Sequence, residues 1–128
     1  MTDLFSAIHA RWTAAGLAAL APLTTGPARG PALPAASLLH TAGRSLALTN
    51  ATGRFEEIEL ELRLWHGDFD VGLAIAELLL ATFDRAAFDT AGGRVLAMRR
   101  TDEHARHQAD GAWEFFFRFL VHLFQEAA

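Results

Sequence analysis

Cysteine, lysine and tyrosine are all missing from this 128-residue chain. Without cysteine there is no disulfide, no thiolate metal site and no thiol nucleophile, which agrees with a reducing cytoplasm. The missing lysine and tyrosine, beside abundant Ala, Arg and Gly, fit a GC-rich coding bias and carry no functional message. Positive charge is sparse. The basic residues are eleven arginines scattered from Arg11 to Arg118, against fifteen acidic residues, for a formal charge of −4. No basic stripe exists to coat a phosphate backbone, so nonspecific nucleic-acid binding is disfavoured. Long hydrophobic runs are missing too: the most apolar stretch, Trp113 to Phe124, is broken by Glu114, Arg118 and His122 and is too short to be a membrane-spanning helix. The start, Met1-Thr2-Asp3-Leu4, is acidic and lacks the basic residues and apolar run of an export signal, so no export is expected. A phosphate loop, a GxSxG elbow, a dinucleotide fingerprint and an HExxH pair are likewise absent.

What is present is enough apolar material for one core. Hydrophobic residues make up 52% of the chain, with ten Phe and three Trp, which excludes a disordered coat and predicts a single domain over residues 1–128. Leu4, Ile8 and Trp12 recur at helical spacing behind Thr2 or Asp3 as cap, with Gly16 placed to stop the helix. All four prolines, with Gly26 and Gly30, fall between Pro22 and Pro34, which predicts an extended arm or loop at about 21–35. Ser37 to His40 and Ser45 to Thr49 read as a small hairpin around Ala42-Gly43-Arg44, and Asn50-Ala51-Thr52 as a turn.

The strongest pattern begins at Phe55, where Ile58, Leu60, Leu62 and Leu64 alternate with Glu57, Glu59, Glu61 and Arg63. This is a strand with one dry face. Past His66-Gly67, the residues Val71, Ile75, Leu78, Leu79 and Phe83 follow helical spacing, with Asp68 and Asp70 at the electropositive helix start. Ala91-Gly92-Gly93 turns into a strand over Arg94 to Arg100, and a polar loop through Asp110-Gly111 leads to a last, central strand whose dry row is Trp113, Phe115, Phe117, Phe119, Val121 and Leu123. From Phe55 onward the order strand, helix, strand, strand resembles half of a ferredoxin-like layout. The expected fold class is therefore α+β: one mostly antiparallel sheet with two main helices packed on it, in the order α-β-β-β-α-β-β.

Three constellations have chemical potential, and each has a plainer reading. His66, Asp68 and Asp70 could converge on a metal, but aspartates before a helix are more simply caps. His104 and His107, with Asp102 and Glu103, would suit zinc if helical; in a hairpin loop they read as solvated polar residues. Glu57, Glu59 and Glu61 stand about 7 Å apart along one strand face, within reach of paired-carboxylate chemistry. A solvated or subunit-facing surface with Arg99, Arg100 and Arg118 as cross-strand counter-charges explains the same row. The rings of Trp113 to Phe119 could stack on bases, but core packing accounts for them better. No catalytic residue, metal or cofactor is expected.

The patterns together resemble those of the tail-terminator, or tail-completion, proteins of long-tailed phages, prophages and gene transfer agents. The resemblance is carried by the opening helix Asp3-Leu4-Phe5-Ser6-Ala7-Ile8, the Pro-rich passage ending Ala32-Leu33-Pro34, and the strand-to-helix passage Ile58 to Asp68. Gly93 to Arg100 and the final Phe117-Arg118-Phe119-Leu120-Val121 complete it. It implies a non-enzymatic α/β subunit of a hexameric ring that caps the head-proximal end of a tail tube, stops its polymerisation and joins the tail to the head. Its partners would be further copies of itself, the tail-tube protein and a head-tail connector or stopper. DNA would pass only through the lumen, and no membrane is involved. The protein would be cytoplasmic during assembly and then part of the particle. Under this reading Glu57, Glu59, Glu61 and Arg63 become a candidate subunit or lumen face, and Pro27, Arg29, Pro31, Leu33 and Pro34 a candidate interface arm. Two alternatives stand beside it: a head-completion or neck adaptor of the same particle, and a small cytoplasmic ligand-binding or enzymatic α/β domain.

Overall fold

A computed structural model describes residues 2–26, 32–46 and 53–126. Helix α1, Thr2–Ala14, turns Leu4, Ile8 and Trp12 into the core, each at 1% exposure or less. It ends where Gly16 takes a left-handed φ of 82°, a conformation that costs a side-chain-bearing residue more than glycine. A short 3-10 turn, Leu17–Ala19, follows, and the Trp12 indole N–H donates to the Ala21 carbonyl at 2.9 Å, tying this corner to the helix. Helix α2, Phe69–Phe83, is capped as its sequence predicts: the Asp68 carboxylate accepts from the Val71 N–H at 2.9 Å. It buries Ile75, Ala76, Leu79 and Phe83, and the Phe83 ring stacks 6.3 Å from Trp12 to join the two helices.

Six strands form one sheet: β1 (Leu23–Thr25), β2 (Ala35–Leu46), β3 (Gly53–His66), β4 (Ala86–Thr90), β5 (Gly93–His107) and β6 (Trp113–Glu126). Their spatial order is β1-β2-β3-β6-β5-β4, antiparallel throughout except for the parallel β1/β2 pair. The expected α+β class holds, with both helices on one face of a mostly antiparallel sheet. The long β3/β6 pair sits at the centre and fixes the faces: Leu60 opposes Phe119, Leu62 opposes Phe117 and Leu64 opposes Phe115, all buried under the helices. Because side chains alternate across a strand, the same register places Glu57 opposite His122, Glu59 opposite Leu120, Glu61 opposite Arg118 and Arg63 opposite Phe116 on the other face.

Two local expectations are corrected, and two short strands that no pattern announces are added. Residues 35–46 are not a hairpin around Ala42-Gly43-Arg44 but one strand, β2, which pairs with β3 and absorbs an irregularity between His40 and Ala42 as a bulge. Side chains beyond Arg44 in that strand, residues 47–49 and the Asn50-Ala51-Thr52 turn lie outside the described residues. Within the predicted extended arm or loop, Leu23–Thr25 pairs with Ala36–Leu38 as a strand; three residues offer too little periodicity to read. Strand β4 is hidden for the same reason, being five residues of mixed character that start at Ala86. Finally, Asp102, Glu103, His104 and His107 are not in a loop. Strand β5 continues to His107 because β6 pairs with it residue for residue, with shifts at Val95/Ala97 and Arg100/Asp102. Polar sequence conceals the strand, as its outer half has no layer packed over it.

The two rims of the sheet are unequal in length. Strand β4 covers β5 only between Gly93 and Met98, and beyond that no strand among the described residues covers the outer side of β5. Two aspartates occupy amides there: Asp84 accepts from the Arg100 N–H at 3.0 Å, and Asp102 from the Glu103 N–H at 2.9 Å.

Candidate functional site

The helix-free face of the sheet is where the predicted site residues meet. Strand β3 supplies Glu57, Glu59, Glu61 and Arg63, and β6 answers with Arg118 and His122. Arg118 reaches two carboxylates, Glu61 at 3.3 Å and Glu59 at 3.5 Å, and Arg63 lies 3.0 Å from the second oxygen of Glu61. Held between two guanidiniums, Glu61 is 7% exposed although no helix covers it. At the other end Glu57 pairs with Arg44 of β2 at 3.3 Å and with His122 at 3.2 Å. The hydrogen bond from His122, and then the one from Arg44, hold the Glu57 carboxyl below its ordinary value against an opposing effect of desolvation.

Aromatic rings close the gaps between these charges. Phe116, only 4% exposed, lies under the guanidiniums of Arg63 and Arg118, 5.2 and 5.5 Å from its centroid, and against the His104 ring at 4.6 Å. Such cation–π contacts shield the ring and hold the arginines in the geometry Glu61 requires. At the far edge Glu114 is 3% exposed and accepts from the Trp65 indole at 3.0 Å and from Arg106 and Gln108 at 3.1 Å each. A shallow depression of about 160 Å³ lies over Ala42, Arg44, Glu57, Glu59 and Leu120.

Of the anticipated counter-charges, Arg118 performs that role. Arg100 instead bonds Glu103 at 2.9 Å, and Arg99 makes no ion pair among the described residues. Arg44, His122 and Glu114 also belong to the network, which sequence reasoning misses. Their signal is the polar row Glu114, Arg118, His122 on the last strand, which gains meaning only when the β3/β6 register is known. His66 and Asp68 do come together, but as a turn: the His66 Nδ1 accepts from the Asp68 N–H at 2.9 Å. His104 and His107 fall on opposite faces of β5, the latter stacked 4.5 Å from Trp113, so they do not share a site. Among the described residues no group of three or more His, Asp or Glu is placed to hold a metal ion. In the arm, Leu33 is exposed and Pro34 half-buried at the entry to β2; Pro27, Arg29 and Pro31 lie outside the described residues.

Chemically, this face stores paired charge. Glu57 is held ionised by its partners, as a carboxylate in a structural ion pair is. Arg44, Arg63 and Arg118 match Glu57, Glu59 and Glu61 one for one, so the row is not the acidic stripe its sequence suggests.

No protein-family model matches the chain, and a search of curated proteins finds no match. Among solved structures, a chain in the virion of a native gene transfer agent particle is similar at a TM-score of 0.59 and 13% sequence identity. The alignment covers 89% of this chain and 84% of that one. The likeness is one of fold. It extends over most of both chains instead of stopping at a shared motif. No helix among the described residues is long and apolar enough to cross a membrane.

Proposed function

We propose that the chain is a structural, non-enzymatic subunit of a phage-like or gene-transfer-agent particle. In this reading it works as the terminator that caps the head-proximal end of the tail tube and joins it to the head connector. The observation that carries the reading is the fold shared with a gene transfer agent virion protein over most of both chains. The motif resemblance along the sequence supports it independently. Copies of the chain form a ring, hexameric as that resemblance implies, with the tail-tube protein on one side and a connector or stopper on the other. The face bearing Glu57, Glu59, Glu61 and Arg63 then meets protein in preference to lining the lumen, because its charges are neutralised pair by pair and repel passing DNA little. The segment containing Pro27, Arg29, Pro31, Leu33 and Pro34 is a second contact in this reading.

Deleting the gene in a producing cell tests the proposal by electron microscopy. A terminator predicts tail tubes of uncontrolled length separated from heads, and purified chain added to isolated tubes should cap them and restore joining. Tails of normal length beside unjoined heads would instead identify a head-completion or neck adaptor. Normal, joined particles would reject both.

A further inference from the structure

Two apolar features on different parts of the surface remain unexplained by the core. The first is a groove of about 160 Å³ between α2 and the outer half of β5, walled by Leu73, Ala76, Leu80, Ala105 and Phe115. Its rim carries carboxylates: Glu77 makes no ion pair among the described residues, and Glu103 shares its charge with Arg100 at 2.9 Å. Helix α2 contains no basic residue, and beyond the groove it exposes Val71 at 49% and Phe69 at 37% beside Asp70. A helix this apolar on its outward side is unusual unless something covers it.

The second feature is Leu96, 42% exposed at the bulge between Val95 and Ala97 where β5 loses register with β6. It is flanked by Arg94 and Arg99, both exposed and neither in an ion pair among the described residues; the nearest opposing carboxylate by register is Asp89, opposite Arg94 on β4. An apolar knob between guanidiniums therefore stands on the same chain as an apolar groove between carboxylates.

We infer that Leu96 of one copy seats in the α2/β5 groove of the next, with Arg94 and Arg99 against Glu77, Glu103 and Asp70. The match in hydrophobicity is reinforced by opposite charge, which sets orientation and disfavours like-to-like pairing. Because knob and groove are different patches, the contact is head-to-tail and each copy offers one of each, the kind of interface that propagates around a ring or along a filament. A buried aliphatic anchor in a pocket with a charged rim is also how binding energy concentrates at interfaces. The inference names the mating surfaces for the self-association in the proposed function, but it is argued from these patches and can fail separately.

Sedimentation velocity across a concentration series tests it, with circular dichroism to show that each variant folds. The wild-type chain should assemble above dimer as concentration rises. Leu96→Asp should leave it monomeric at concentrations where wild type is assembled, as should Arg94→Glu/Arg99→Glu or Glu77→Arg. Mixing Arg94→Glu/Arg99→Glu with Glu77→Arg should restore mixed complexes, because the swapped knob of the first meets the swapped groove of the second and the unaltered knob of the second meets the unaltered groove of the first. A wild type that stays monomeric throughout, or variants that assemble as wild type does, would overturn the inference. Neither result would touch tail length in a gene-deleted strain, whereas normal tails there would reject the terminator reading and leave the contact standing.

Discussion

The two faces of the central β3/β6 pair solve the same burial problem by opposite means. Under the helices, Leu60, Leu62, Phe117 and Phe119 exclude water with hydrocarbon alone, so stability there scales with volume and fit. On the bare face Glu61, Glu114 and Phe116 are nearly as inaccessible, yet nothing lies over them except their own neighbours' guanidinium, indole and imidazole groups. A dry face tolerates exchange of one hydrocarbon for another of similar size. The charged face depends on a set of partners, and loss of any one strands the rest.

The largest break in this comparison comes from the helix-covered side. Phe119→Ala removes a fully buried ring from the middle of the core and should cost about 3–5 kcal/mol in urea unfolding, enough to unfold a marginal domain. Next is Glu114→Ala, which takes the acceptor from the buried Trp65 indole; a loss of about 1–3 kcal/mol is expected. Should Glu114→Ala prove harmless while Phe119→Ala does not, the bare face would be ornament and not structure. Removing the α2 cap with Asp68→Ala should cost about 1 kcal/mol, and Asp68→Asn much less, which calibrates both faces against a purely local effect.

The smallest effect is one of pH. Since the folded state holds Glu57 ionised below its ordinary value of 4.5, the pairing with His122 and Arg44 contributes fully above that value and fades as pH falls through the lowered one. Unfolding midpoints of wild type and Glu57→Gln should therefore differ most near neutrality and converge in acid. Curves that stay parallel from about pH 7 to about pH 3, a span that crosses the usual carboxylate range, would show that the pair is not coupled to folding.

How much of this is legible in the sequence follows the same division. Alternation at Ile58 to Leu64 and at Phe115 to Leu123 fixes both central strands, and helical spacing with Asp68 fixes α2, because burial on one side writes a period into the sequence. Strands β1 and β4 are too short to carry one, and the outer half of β5 is polar on both sides because no layer covers it. The charged network is visible in sequence only as the row Glu57, Glu59, Glu61 and Arg63 on one strand, with Arg118 as a counter-charge. Its other half, Arg44, Glu114 and His122, becomes meaningful through register between strands far apart in sequence, which no local pattern encodes.

Asp84 and Asp102 plug amides along β5 beyond the reach of β4, and that small detail alters what this rim can offer to a further strand. With the Arg100 and Glu103 N–H groups already occupied, two of the donors that an added strand would need there are taken. An incoming strand would first have to displace those carboxylates, so this stretch of the rim is a poor template for edge-to-edge pairing.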